Sequence, residues 1–210
     1  MEPFDPDVDV PGTIAPVNVA HPTKPDRMDV PWRTTATIDE FLEELAFSDS
    51  KLEFFEGRIV AFAGGSVAHS RLCARLIGYF LAASRPGCTV LTSDAAVRVG
   101  TSAYVFPDVT YTCEELAPSA TEIVAPSVVV EVISPQSTRR DRVEKLRAYL
   151  QIPSLNAYVL VDSLRPSVTI FARENGRLVA TDYLEPEATV RLETPDVRFT
   201  ISELYAGILA

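Results

Sequence analysis

No apolar run in this chain of 210 residues approaches the ~20 residues that a helical bilayer crossing needs. A membrane partner is therefore not expected. The first residues lack the basic region and apolar core of an export signal, so a cytoplasmic protein is expected. Three cysteines, Cys73, Cys88 and Cys113, are too few for a disulfide framework and are not spaced as a paired metal motif. Reduced, mostly buried thiols are the expectation. Histidine is scarce too, at two residues, which excludes a histidine-rich zinc centre. Gly64-Gly65 lacks the following Lys and Ser/Thr of a phosphate-cradling loop. There is no internal repeat. Positive charge is in deficit: the formal net charge is −10, which repels a phosphate backbone and makes non-specific binding to nucleic acid weak.

What is present suits one domain and a tail. Residues 1–33 hold seven of the sixteen prolines, between Pro3 and Pro31, among Glu2, Asp5, Asp7 and Asp9. A Pro-rich acidic tail with little periodicity is expected there. Residues 34–210 belong to a chain that is 47% hydrophobic, normal for a globular protein, and are numerous enough to bury most of their apolar surface. Thr37 with Glu40 three residues on makes a capping box for a helix over Ile38 to Phe47. Two extended segments follow, Leu52 to Phe55 and Arg58 to Phe62, turning at Glu56-Gly57. His69 opens a helix to Ala83 with Leu72, Leu76, Ile77, Phe80 and Leu81 on its apolar face. Strands are expected over Thr89 to Leu91, Ala96 to Val99, Val105 to Tyr111, Ser127 to Ile133, Ala157 to Val161 and Val168 to Ala172. Glu174-Asn175-Gly176-Arg177 turns the last of these into Leu178 to Tyr183. A short helix over Ile201 to Ile208 closes an α/β domain with a mixed central sheet.

Two carboxylates interrupt strand-like runs. Asp108 ends Phe106-Pro107-Asp108, and Glu131 sits inside Val128-Val129-Val130-Glu131-Val132-Ile133, a run apolar enough to be buried. A carboxylate buried without compensation costs several kcal/mol, so Glu131 must be neutralised, ion-paired to a residue such as Arg98 or Arg139, or engaged with a cation. Asp108, 23 residues earlier, is the nearest carboxylate able to share that cation. Two acids on neighbouring strand ends suit Mg²⁺ or Mn²⁺, with the Val132 backbone carbonyl as a further oxygen and Glu53 at the rim. Ser134 to Thr138 carry helix-start chemistry, and Val143, Leu146 and Leu150 give a helical repeat over Arg139 to Leu150. Asp141, Lys145 and Tyr149 recur every four residues there, in a row about 80° wide. Lys145 either points back over the carboxylates or pairs with Asp141 on the surface. Arg139, Arg140, Arg142, Lys145 and Arg147 outweigh Asp141 and Glu144 by three charges, which suits a phosphodiester or a solvated helix face.

The ordered series resembles the Uma2 family of restriction-endonuclease-like proteins, within the PD-(D/E)XK superfamily. The resemblance runs over about residues 35 to 205. It is carried by Leu52-Glu53-Phe54-Phe55-Glu56-Gly57, His69, Pro107-Asp108, Ala125 to Pro135, Thr138, Asp141, Lys145, Tyr149 and Tyr158-Val159-Leu160-Val161-Asp162. One departure from the wider superfamily is that Ile133 stands where its strand lysine would be, and the Uma2 pattern moves that lysine to the next helix, as Lys145. The resemblance implies a Mg²⁺-dependent DNA endonuclease with Asp108, Glu131 and Lys145 catalytic. Glu53, His69, Asp141 and Tyr149 would be auxiliary, and Arg139, Arg140 and Arg142 would contact DNA. A homodimer is compatible with it. Two other readings stay open: a catalytically inactive nuclease fold used for binding or oligomerisation, and a metal-dependent hydrolase of another phosphate ester.

Overall fold

The computed structural model describes residues 35–61, 65–133, 140–174 and 177–209, with side chains left out at 140–142. The expected tail and the turn residues Asn175-Gly176 lie outside them.

Helix α1 (Ile38–Ala46) starts as the capping box requires, with Thr37 accepting from the Glu40 N–H and Glu40 accepting from the Thr37 N–H. It buries Phe41 against Phe54 of strand β1 (Leu52–Phe55). Glu56, at φ 42°, and Gly57, at φ 86°, then reverse the chain into β2 (Arg58–Ala61). Helix α2 (Val67–Ala82) begins two residues earlier than expected because Ser66, not a residue beside His69, caps it by accepting from the His69 N–H. Leu72, Leu76 and Phe80 face the core, whereas Leu81 lies on the exposed side of the helix.

β3 (Thr89–Thr92), β4 (Ala96–Val99), β5 (Ala103–Val105) and β6 (Val109–Thr112) follow. The single strand expected over Val105 to Tyr111 is in fact two. Pro107 has no N–H to give a ladder, and the chain changes sheets across Phe106-Pro107-Asp108. β7 (Glu122–Ile123) is a two-residue addition, and β8 (Pro126–Ile133) is the central strand. Next come a wide π-helical segment, π1 (Arg140–Lys145), one turn of α-helix, α3 (Leu146–Tyr149), and strands β9 (Ala157–Asp162), β10 (Val168–Glu174) and β11 (Arg177–Tyr183). The hairpin β12 (Thr189–Glu193) and β13 (Asp196–Thr200), absent from the sequence-based expectation, leads into α4 (Ile201–Tyr205), itself capped by Thr200.

These strands form a mixed six-stranded sheet in the order β11-β10-β9-β8-β6-β3 and a five-stranded sheet in the order β2-β1-β5-β4-β7. β8 and β9 run parallel, joined by the π1 and α3 crossover. The pleat of β8 explains its nearly unbroken apolar run. Val128, Val130 and Val132 enter the core built on α2 and the β12–β13 hairpin, while Val129 and Ile133 enter a second core with Tyr149 and Tyr158. Glu131 has the parity of the second face, and so is delivered to α3.

The thiol expectation needs correction. Cys88 and Cys113 form a disulfide, leaving Cys73 as the free cysteine. The antiparallel β3–β6 register, with Thr89 opposite Thr112, brings together Cys88, just before β3, and Cys113, just after β6. Among the described residues no helix is long and apolar enough to cross a membrane.

Candidate active site

The site forms where the two sheets meet, at the Phe106-Pro107-Asp108 corner. Two acids tie this corner down. Phe106 donates its N–H to Glu53 Oε1 at 3.1 Å, and Val132 donates its N–H to Asp108 Oδ2 at 2.7 Å. The second bond spans from the corner to the strand bearing Glu131, since β6 pairs with β8 starting at Val109 opposite Val130. Asp108 thus sits beside the backbone of the residue that follows Glu131.

Lys145 ends the π1 segment, and its side chain reaches back under β8. Its ammonium donates to Glu131 Oε1 at 2.7 Å and lies 3.2 Å from Glu53 Oε1, with all three side chains almost fully buried. The alternative of a surface pair with Asp141 does not account for a lysine only 3% exposed. Tyr149, four residues on, donates its hydroxyl to the same Glu131 oxygen at 2.9 Å. Burial first, and then the Glu131 charge, push the Tyr149 hydroxyl well above its ordinary pKa, so it stays protonated and remains a donor. Two of the three residues in the expected row therefore converge on Glu131. The wide π turn also disturbs the apolar repeat expected beside that row: Val143 is exposed. Arg98 pairs with Glu122, so it does not serve Glu131.

Asp108 and His69 are the more accessible part of the site. His69 Nε2 lies 3.3 Å from Asp108 Oδ2, each side chain being a little under one-fifth exposed. His69 Nδ1 is 3.5 Å from Cys73 Sγ, one helical turn along α2. Burial, and after it the charges of Asp108 and Glu131, raise the Cys73 thiol far above its ordinary value. Arg139 lies outside the described residues, as do the side chains of Arg140, Asp141 and Arg142.

The Uma2 profile, described as "Putative restriction endonuclease", matches residues 38–202. The chain belongs to the Uma2 family. Two proteins of Synechocystis are similar to it: uncharacterized protein slr1290 is 32% identical over 81% of this chain and 91% of its own length, and uncharacterized protein sll1609 is 31% identical over 60% and 74%. A crystal structure of a "putative nuclease belonging to DUF820" from Anabaena variabilis superposes with a TM-score of 0.69 at 19% identity, covering 82% of this chain and 99% of that one. The fold is accordingly restriction-endonuclease-like. Within this Uma2 domain, Glu53, expected at a rim, is among the most buried polar residues, at 1% exposure. Cys73 was expected only as a reduced, buried thiol, although its spacing of four from His69 puts the two on one face of a helix.

Tyr149→Phe isolates one bond of this Uma2 site. It keeps the ring packed against Tyr158 but removes a donor to a charged acceptor, so a loss of about 1.5–3 kcal/mol in urea unfolding is expected. An unchanged midpoint would mean that the hydroxyl carries no stabilising bond.

Proposed function

We propose that this Uma2 protein is a Mg²⁺-dependent DNA endonuclease acting through Asp108, Glu131 and Lys145. The observation that carries the reading is the buried Lys145 ammonium, 2.7 Å from Glu131 although it comes from the following helical segment. It supplies the lysine that the strand lacks at Ile133.

The donor set fits a hard divalent ion. Two carboxylates, Glu53 and Glu131, share one ammonium, and a third, Asp108, accepts from the Val132 N–H next to Glu131. Such a pocket favours added positive charge and offers oxygen ligands. Asp108 and Glu131 would hold the ion, with the Val132 carbonyl as a further ligand. Once bound, Mg²⁺ or Mn²⁺ supplies Lewis-acid polarisation of the phosphodiester and a water of lowered pKa.

The remaining chemistry belongs to the chain. Lys145 orients the attacking water and stabilises the negative charge that develops on the phosphate oxygens, with no need to move, because two carboxylates already fix its ammonium. Tyr149 fixes Glu131 through the same oxygen that accepts from Lys145. Glu53 acts as a positioning residue through Lys145. In the sequence Arg139, Arg140 and Arg142 are a local exception to the acidic composition, and these residues would contact the DNA backbone.

Incubating purified protein with supercoiled and single-stranded DNA, with Mg²⁺, Mn²⁺ or chelator, tests the reading. Metal-dependent nicking that chelator abolishes is expected. Absence of cleavage with either metal would leave a non-catalytic module, and cleavage only of small phosphate esters would leave a hydrolase of another class.

A further inference from the structure

His69 and Cys73 present their side chains from one face of α2, toward the corner that carries Asp108. Cys73 Sγ is 3.5 Å from His69 Nδ1, and Asp108 Oδ2 is 3.3 Å from His69 Nε2. One ligand atom from each of the three lies within 4.8 Å of the other two. All three are only partly buried, so an ion can reach them. This set differs in kind from the two carboxylates next to it. Mg²⁺ takes oxygen ligands, whereas imidazole and thiolate select borderline ions such as Zn²⁺. We propose that His69, Cys73 and Asp108 form a three-ligand site for a Zn²⁺-class cation, with water in the fourth position.

The backbone holds the imidazole in place for this. A Cβ on Gly65 would lie 2.5 Å from His69 Cγ and 2.9 Å from its Cβ, so the ring occupies space that only glycine leaves free. The Ser66 cap then fixes the first turn below it. Bonds of 2.0–2.3 Å to a tetrahedral zinc put ligand atoms roughly 3.3–3.7 Å apart. The two observed contacts have that length but use different ring nitrogens, so the ion takes one nitrogen and the other partner closes by a shift on the order of 1 Å. Binding releases the thiol proton to solvent.

Asp108 belongs to both sites. The effect on cleavage therefore rests on the function proposed above: Zn²⁺ held by His69 and Cys73 ties up Asp108 and inhibits the Mg²⁺-supported reaction. Binding itself does not depend on that reading.

Co²⁺ is the probe, added to the full chain. The wild-type protein should give a thiolate-to-cobalt charge-transfer absorption that saturates at one equivalent and is displaced by Zn²⁺. Cys73→Ser should lose this band, keep Mg²⁺-supported cleavage and lose inhibition by Zn²⁺. Gly65→Ala keeps every ligand but moves the ring, and should weaken Co²⁺ binding on the order of 10–100-fold, the scale of disturbing a ligand's support. A missing band in the wild type, or a band and affinity unchanged in both variants, would overturn the site. A cysteine-dependent band in a protein that cleaves no DNA would sink the nuclease reading and leave this site standing.

Discussion

Lys145→Ala should abolish cleavage and also lower the stability of the fold by about 3–5 kcal/mol, the scale of removing one partner from a buried ion pair. A lysine paired only with Asp141 on the surface would cost little to remove. Burial changes that expectation, because Lys145 lies between Glu53 and Glu131 with all three side chains shielded from water. Without the ammonium, two carboxylates on strands of different sheets repel each other in a medium that screens poorly. Adding Glu53→Gln should recover part of the stability, since one of the two like charges is gone, and should recover none of the cleavage. Urea unfolding of the single and double variants separates these effects. If Lys145→Ala unfolds at the wild-type midpoint, the ammonium makes no net contribution to stability; if it still cleaves DNA, the catalytic role proposed for it is wrong.

How far this site could be read from the sequence depended on the range of the physics involved. Glu131 was legible because a strand buried on both faces has to be apolar, so one carboxylate within Val128 to Ile133 stands out locally. The α1 start was legible for the same reason: Thr37 and Glu40 are three residues apart and satisfy each other. Glu53 was not. Leu52-Glu53-Phe54-Phe55 reads equally well as a strand with an edge charge, and its burial depends on a lysine from the other sheet's crossover. The corner at Pro107 was hidden inside a run whose alternation continues from Val105 to Tyr111 on both sides of the proline. Periodicity cannot announce a π turn either, because a single wide turn shifts the phase by one residue only where tertiary contacts require it, leaving Val143 exposed and Lys145 buried. Cys88 and Cys113 meet only through the β3–β6 register, which no local spacing encodes.

Asp108→Asn should separate metal binding from folding more cleanly than any change at Glu131. Glu131→Gln disturbs Lys145 and Tyr149 together, since both donate to the same oxygen. At Asp108 the amide oxygen of asparagine can still accept the Val132 N–H, so the corner keeps its tie and the loss of stability without metal should stay near 0.5–1.5 kcal/mol. Its response to metal should differ sharply from wild type. An ion present at a hundred times its Kd stabilises a native state by about 2.7 kcal/mol. For a protein of this size each kcal/mol raises Tm by roughly 2–4 °C, so the wild type should gain about 5–11 °C with saturating Mg²⁺. Asp108→Asn should gain almost nothing, and its cleavage should fall on the order of 10²–10³-fold or more, the scale of losing one preorganised electrostatic group. Thermal melts with Mg²⁺ and with chelator, run beside the cleavage assay, measure both effects. Equal metal-induced shifts in the two proteins would mean that the ion binds elsewhere, and the shared carboxylate site would then be wrong even if the nuclease reading survived.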